Sequence, residues 1–304
     1  MKIKYILILL AAAVILSEVW LRLKSPDMLN VNEIIKLSND QTLGYELMPG
    51  AKIKFHGIIY KIPETTIEIS DQGFRDRVFG LKKPNVKRIA FIGDSFVFGQ
   101  GVELEDSIPK QLENLLNENS SAKYEVMNCG VIGYNLEQEI GLMKKKVRRF
   151  NPDMIIFLIS GNDIYRKIKI PYNKLSNIFF TYSYLYRRSY LKINEYREKK
   201  DAEGKNLGTR IRDAVESFKS LRPALTQGQD MVLVIKNFNQ WMQVILDICK
   251  QEGYHTLDFS PDYRKYEDSI TIASYDRHFN PAGTRMIAGK ICALLKKEIL
   301  KNDE

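Results

Sequence analysis

The chain has 304 residues, with 46 Lys+Arg against 37 Asp+Glu for a net charge of +9, 44% apolar content and 27% charged content. This is too apolar for a disordered chain and too polar for a multi-span membrane protein, and the length fits one large domain or one with an appendage. The three cysteines (Cys129, Cys249, Cys292) make no disulfide framework or Cys-x-x-Cys pair, and three histidines (His56, His255, His278) are too few for a multi-His centre, so neither metal nor cofactor is expected.

Residues 1–24 begin with Lys2 and Lys4, run apolar from Tyr5 to Leu16, and close with Trp20, Arg22 and Lys24. The uninterrupted run of about 12 residues is short for a span and fits a cleavable signal. Extended to Leu23, it makes a helix of about 19 residues with an interfacial belt of Trp20, Arg22 and Lys24 and with Glu18 near its outer boundary. An uncleaved signal anchor is the favoured reading over a cleaved signal. Either one places the remainder on the periplasmic or cell-surface side.

Residues 25–86 form an irregular, β-rich lead-in, with strand-like runs at 51–55 and 66–69 broken by Pro49-Gly50, Pro63 and Asp71-Gln72-Gly73. From residue 87 the pattern turns to strands alternating with amphipathic helices. Strands are expected at 88–92, 124–129, 154–160, 231–235 and 254–259. Helices are expected from Ser107 and Pro109, over 136–150, over 239–251, and over 281–300 behind an Asn280 cap. Repeated strand then helix predicts an α/β domain over 87–304, its parallel sheet covered on both faces. Residues 164–230 interrupt it with an aromatic and basic insertion placed where a substrate cap would sit; a packing excursion is the equal alternative. The basic run Lys144, Lys145, Lys146, Arg148 and Arg149 reads as a solvated helix face, and no recognition motif points to nucleic acid.

In a parallel sheet the loops leaving the C-terminal strand ends converge on one edge. Four of them carry chemistry here. Gly93-Asp94-Ser95 puts a hydroxyl and its own N–H at a strand-to-helix turn, with Asp94 supporting the turn. Asn128-Cys129-Gly130-Val131-Ile132-Gly133 allows close backbone approach and an N–H aimed at an oxyanion. Gly161-Asn162-Asp163 offers an amide donor. In Asp276-Arg277-His278 a carboxylate two residues before an imidazole can fix its tautomer while the other ring nitrogen takes a serine proton.

As an ordered set, Ser95, Gly133, Asn162 and His278 resemble the SGNH hydrolase superfamily, the GDSL-type esterases and lipases, over roughly 87–163 and 231–300. The resemblance implies a three-layer α/β/α sandwich of flavodoxin-like type. It makes Ser95 the nucleophile, His278 the general base, Asp276 its orienting acid, and Ser95 N–H, Gly133 and Asn162 the oxyanion hole. Many members write the last block Asp-x-x-His; the shorter Asp276-Arg277-His278 spacing is found in exported acyltransferase-like relatives. The expected function is extracytoplasmic ester hydrolysis on an acylated glycan or lipid, at the membrane through the N-terminal helix, with envelope-assembly proteins as candidate partners. O-acyl transfer to an envelope or exported polysaccharide, and a non-catalytic glycan-binding module, are the alternatives.

Overall fold

The computed structural model describes residues 2–24, 33–57, 62–118, 120–160, 163, 207–221, 230–236, 242–274 and 276–300, with isolated positions between 179 and 196 and at 223 and 225. Asn162, Tyr275 and most of the 164–230 insertion lie outside the described residues.

Helix α1 (Lys2–Lys24) carries an unbroken apolar surface, with Ile6, Leu9, Leu16 and Trp20 all exposed. By length and composition it could cross a membrane, and a signal sequence would look the same. Two short antiparallel hairpins follow: β1 (Ile35–Leu37) with β2 (Tyr45–Leu47), and β3 (Lys52–Gly57) with β4 (Ile62–Glu68).

Five strands then build one parallel sheet. They are β5 (Val86–Gly93), β6 (Lys123–Gly130), β7 (Met154–Ile159), β8 (Asp230–Ile235) and β9 (His255–Asp258), in the spatial order β6-β5-β7-β8-β9. The order reverses between β5 and β7, which opens a crevice at their C-terminal ends. The connecting helices are α2 (Ser95–Phe98), α3 (Ile108–Asn117), α4 (Leu136–Leu142), α5 (Leu207–Lys219), α6 (Met242–Glu252) and α7 (Ser260–Ile270). A last hairpin, β10 (Thr271–Ala273) with β11 (Asp276–Phe279), leads into α8 (Pro281–Glu298).

The period of two along each strand divides the core in two. Ile89, Phe91, Val126, Ile156, Leu158 and Val232 face Leu112 of α3, Tyr263 of α7 and Ile287 and Ile291 of α8. Ala90, Ile92, Met127, Phe157, Leu233 and Ile235 face Ile140 of α4, Phe218 of α5 and Ile245 of α6. The second core also takes in Ile34, Leu43, Tyr45, Leu47, Ile67 and Phe74 from the lead-in, so this segment completes a face of the sheet. Each fully buried side chain of this kind contributes ~1.5–3 kcal/mol.

Two local expectations are corrected. The helix expected over 136–150 is regular only through Leu142; a π-wound turn (Met143–Val147) and a 3-10 turn (Arg148–Phe150) follow, ended by left-handed Asn151. The widened turn keeps Met143 and Val147 buried. The basic run is therefore not a plain solvated face: Lys144 donates to Ser220 after α5 at 2.7 Å, while Lys145, paired with Asp40, and Lys146, 3.6 Å from Glu46, tie the lead-in down. As expected, Ser107 stands at the N-cap of α3 with Pro109 in the first turn, and among the described residues its buried hydroxyl has no hydrogen-bond partner.

Candidate active site

The first strand of the sheet ends in the turn that holds Ser95. Asp94 is buried and caps α2 by accepting from the Phe96 N–H at 2.9 Å, so its carboxylate shapes the turn. Helix α2 lasts a single turn, closed by Gly99 in the left-handed region. Its backbone runs so close to the end of β6 that a Cβ on Gly130 would stand 2.1 Å from the Phe98 nitrogen, and only glycine fits there.

On the other side of the crevice, β11 presents His278. A spacing of two on an extended strand puts Asp276 and His278 on one face. The Asp276 Oδ1 accepts from the His278 backbone N–H at 3.0 Å and lies 2.6 Å from Nδ1 of the ring. The ring's Nε2 lies 2.7 Å from the Ser95 Oγ. Three residues separated by up to 183 positions thus form one hydrogen-bonded series, and the short Asp-x-His spacing works because the segment is a hairpin strand. Burial works to raise the Asp276 carboxyl, but the hydrogen bond and charge of His278 hold it below its ordinary value.

Of the other predicted positions, Gly133 adopts φ +76 in the loop after β6, a conformation that favours glycine. Asn162 falls outside the described residues. Beside it, Asp163 accepts from the Ser160 N–H at 2.5 Å, and its carbonyl accepts from the Leu136 N–H at 3.2 Å, linking the second and third loops.

Several supporting residues escaped the sequence reading. Tyr45 donates to the Ile132 carbonyl at 2.6 Å, Tyr134 donates back to the Tyr45 carbonyl, and the two rings meet edge to face at 5.1 Å. Gln138 reaches the Leu43 carbonyl at 2.7 Å while closing a capping box with Asn135. Arg75, fully buried, donates to the carbonyls of Phe98, Gly99, Val102 and Thr66 and so fastens the end of α2 to the lead-in. Asp76 accepts from the Asn128 N–H at 2.8 Å and pairs with buried Lys110 at the same distance. The signal available for Lys236, described below, was a charge directly after the apolar run 231–235; for Lys110, Tyr45 and Arg75 there was none.

Three buried acids stand behind the crevice. Burial first, then the charges of Asp163 and Asp94, push the Glu139 carboxyl well up, and among the described residues neither of its oxygens has a hydrogen-bond partner. Burial and Asp94 likewise push Asp163 well up, against the bonds from Ser160 and the charge of Lys236. Among the described residues no group of His, Cys, Asp and Glu could hold a metal ion. All three cysteines are buried, with thiols raised by burial.

A serine, an imidazole and a carboxylate in hydrogen-bonded series at the switch point of a parallel sheet form the constellation of nucleophilic acyl chemistry. The model of the GDSL-like Lipase/Acylhydrolase family matches residues 91–286, and the chain belongs to this family, as an enzyme acting on ester bonds. No curated protein matches it. Among solved structures it is similar to TesA (11% identity, 69% of this chain and 99% of that one, TM-score 0.47). It is also similar to a lipase/acylhydrolase from Enterococcus faecalis (12%, 69% and 96%, TM-score 0.47). A third likeness is to a two-domain esterase active on acetylated mannans (16%, 70% and 49%, TM-score 0.47).

Proposed function

We propose that this chain is an extracytoplasmic serine esterase, anchored by α1, that cleaves ester-linked acyl groups from an envelope glycan or lipid through Ser95, His278 and Asp276. The observation that carries the reading is the unbroken series from Ser95 Oγ through both ring nitrogens of His278 to Asp276. Ser95 attacks the acyl carbonyl while Nε2 takes its proton. The same proton passes to the departing alcohol, and a water activated by His278 then releases the acid. Asp276 holds the ring in the tautomer that leaves Nε2 free to accept and stabilises the imidazolium. The N–H groups of Ser95 and Gly133 and the side chain of Asn162 receive the oxyanion, each such donor being worth ~2.7–4 kcal/mol in the transition state.

In this reading the chain divides into an anchor (1–24), a lead-in (25–86) and a hydrolase domain (87–304) carrying the 164–230 insertion. The apolar surface of α1 supports the anchor, and the bonds from Tyr45 and Arg75 to the loops of the site make the lead-in its brace. The test is fluorophosphonate labelling of the full chain in detergent, followed by intact mass, beside Ser95→Ala. One adduct, lost in the variant, is the expected result; a folded wild-type chain that takes no adduct contradicts it. Incubation with an acyl donor and a glycan acceptor then separates hydrolysis, seen as free acid, from transfer, seen as acylated glycan.

A further inference from the structure

Lys236 directly follows β8 and is 5% exposed. A buried ammonium usually finds a carboxylate. Among the described residues none lies within hydrogen-bond distance of this one. Its Nζ sits instead 3.9 Å from the centroid of the Phe96 ring and 4.2 Å from that of Tyr263, with Phe279 at 5.7 Å. Ring faces of this kind attract a cation, most strongly where water is excluded.

Two of these rings belong to residues adjoining the catalytic pair. Phe96 follows Ser95 in the chain, and Phe279 follows His278. The Phe96 ring lies 4.9 Å from the His278 ring at an interplanar angle of 31° and 5.4 Å from that of Phe279. The imidazole is thus oriented by Asp276 at Nδ1 and by Phe96 against the ring, and Phe96 is in turn held by Lys236.

We propose that Lys236 is a positioning residue for the esterase reaction: its ammonium fixes Phe96, and through it the His278 ring, on the line between Asp276 and Ser95. The proposal rests on the assignment of Ser95, His278 and Asp276 above. The ammonium feels charges from four other elements, Asp94 before α2, Asp163 after β7, Glu267 on α7 and Arg277 on β11, and Asp163 and Asp94 in turn act on Glu139 of α4, whose carboxyl is pushed well up by burial. Burial lowers Lys236 to about 8, while Asp94, Glu267 and Asp163 act to keep it charged and Arg277 acts against it. The clamp is therefore progressively lost as pH rises through about 8.

The experiment measures kcat and KM for a short-chain aryl ester across the neutral and alkaline range, using the full chain in detergent as wild type, Lys236→Arg and Lys236→Met. Fluorophosphonate labelling is run on each, with Ser95→Ala as control. Wild type should lose kcat/KM above about pH 8. Lys236→Arg, whose guanidinium stays charged, should keep most of the activity and lose that alkaline fall. Lys236→Met should lose about 10- to 100-fold in kcat with KM little changed, as expected for a misplaced base, and should also show no alkaline fall. A wild-type profile flat into the alkaline range overturns the proposal, as does a Lys236→Met profile that superimposes on wild type. If Lys236→Met fails to fold, an alkaline fall that persists unchanged in folded Lys236→Arg overturns it alone. Wild type without a Ser95 adduct removes the catalytic assignment and this proposal together, whereas normal labelling with unchanged profiles removes only the proposal.

Discussion

The Tyr45 hydroxyl donates a 2.6 Å hydrogen bond to the carbonyl of Ile132, 87 residues further along the chain and next to Gly133. Ile132 and Gly133 lie in the loop proposed to present an oxyanion N–H, so in that reading a hairpin outside the conventional α/β unit holds part of the site.

Tyr45→Phe removes that bond while leaving the ring pair with Tyr134 in place. The unpaired carbonyl should cost about 1–3 kcal/mol of stability. Because the loop it releases is proposed to act in the transition state, kcat should fall by about tenfold or more with KM nearly unchanged. Steady-state kinetics and thermal unfolding of the variant check both effects; wild-type kcat at reduced stability would separate the lead-in from catalysis.

Asp276→Asn keeps the shape of the carboxylate but removes its charge. The ring of His278 then loses the partner that fixes its tautomer at 2.6 Å, and kcat should drop about 10³- to 10⁴-fold with the fold intact. The acid limb of stability carries a second signature. The folded carboxyl of Asp276 is held below its ordinary value, so its contribution is present above the unfolded pKa and is lost as pH falls through the folded one. Unfolding midpoints of wild type and variant should therefore converge on acidification, which denaturation at a series of pH values measures.

Glu139→Gln should act with the opposite sign. Burial raises the folded carboxyl well above its ordinary 4.5, so the stability it supports is full below the unfolded pKa and declines as pH rises through the range up to the folded one. The isosteric amide removes that decline. Thermal midpoints should match wild type near about pH 4 and lie at or above it at neutral pH. A variant less stable at neutral than at acid pH, relative to wild type, would show that the acid is ionised in place.

How much of this was legible beforehand follows from the range of each interaction. Strand positions at 88–92, 124–129 and 154–160 were legible as short apolar runs, because a parallel strand covered on both faces is buried along nearly its whole length. The Asn280 cap was readable because it is local: its side chain bonds Gly283, three residues on. Ser95, Gly133 and Asn162 were legible as candidates because they stand in loops at strand ends, which chain order sends to one edge, whereas His278, expected in such a loop, stands on strand β11 of the last hairpin.

The sequence by itself, then, determined the element pattern, the apolar N-terminal helix and the candidate residues of the site, because each is written in local periodicity or in a motif a few residues long. Only the tertiary structure decided that the Asp276 carboxylate reaches Nδ1 of His278, that Arg75 and Tyr45 brace loops far along the chain, and that Lys236 lies against Phe96. Those contacts join residues far apart in the chain or depend on how a strand presents its side chains. Spacing along a sequence carries no trace of either until the sheet has formed and buried them together.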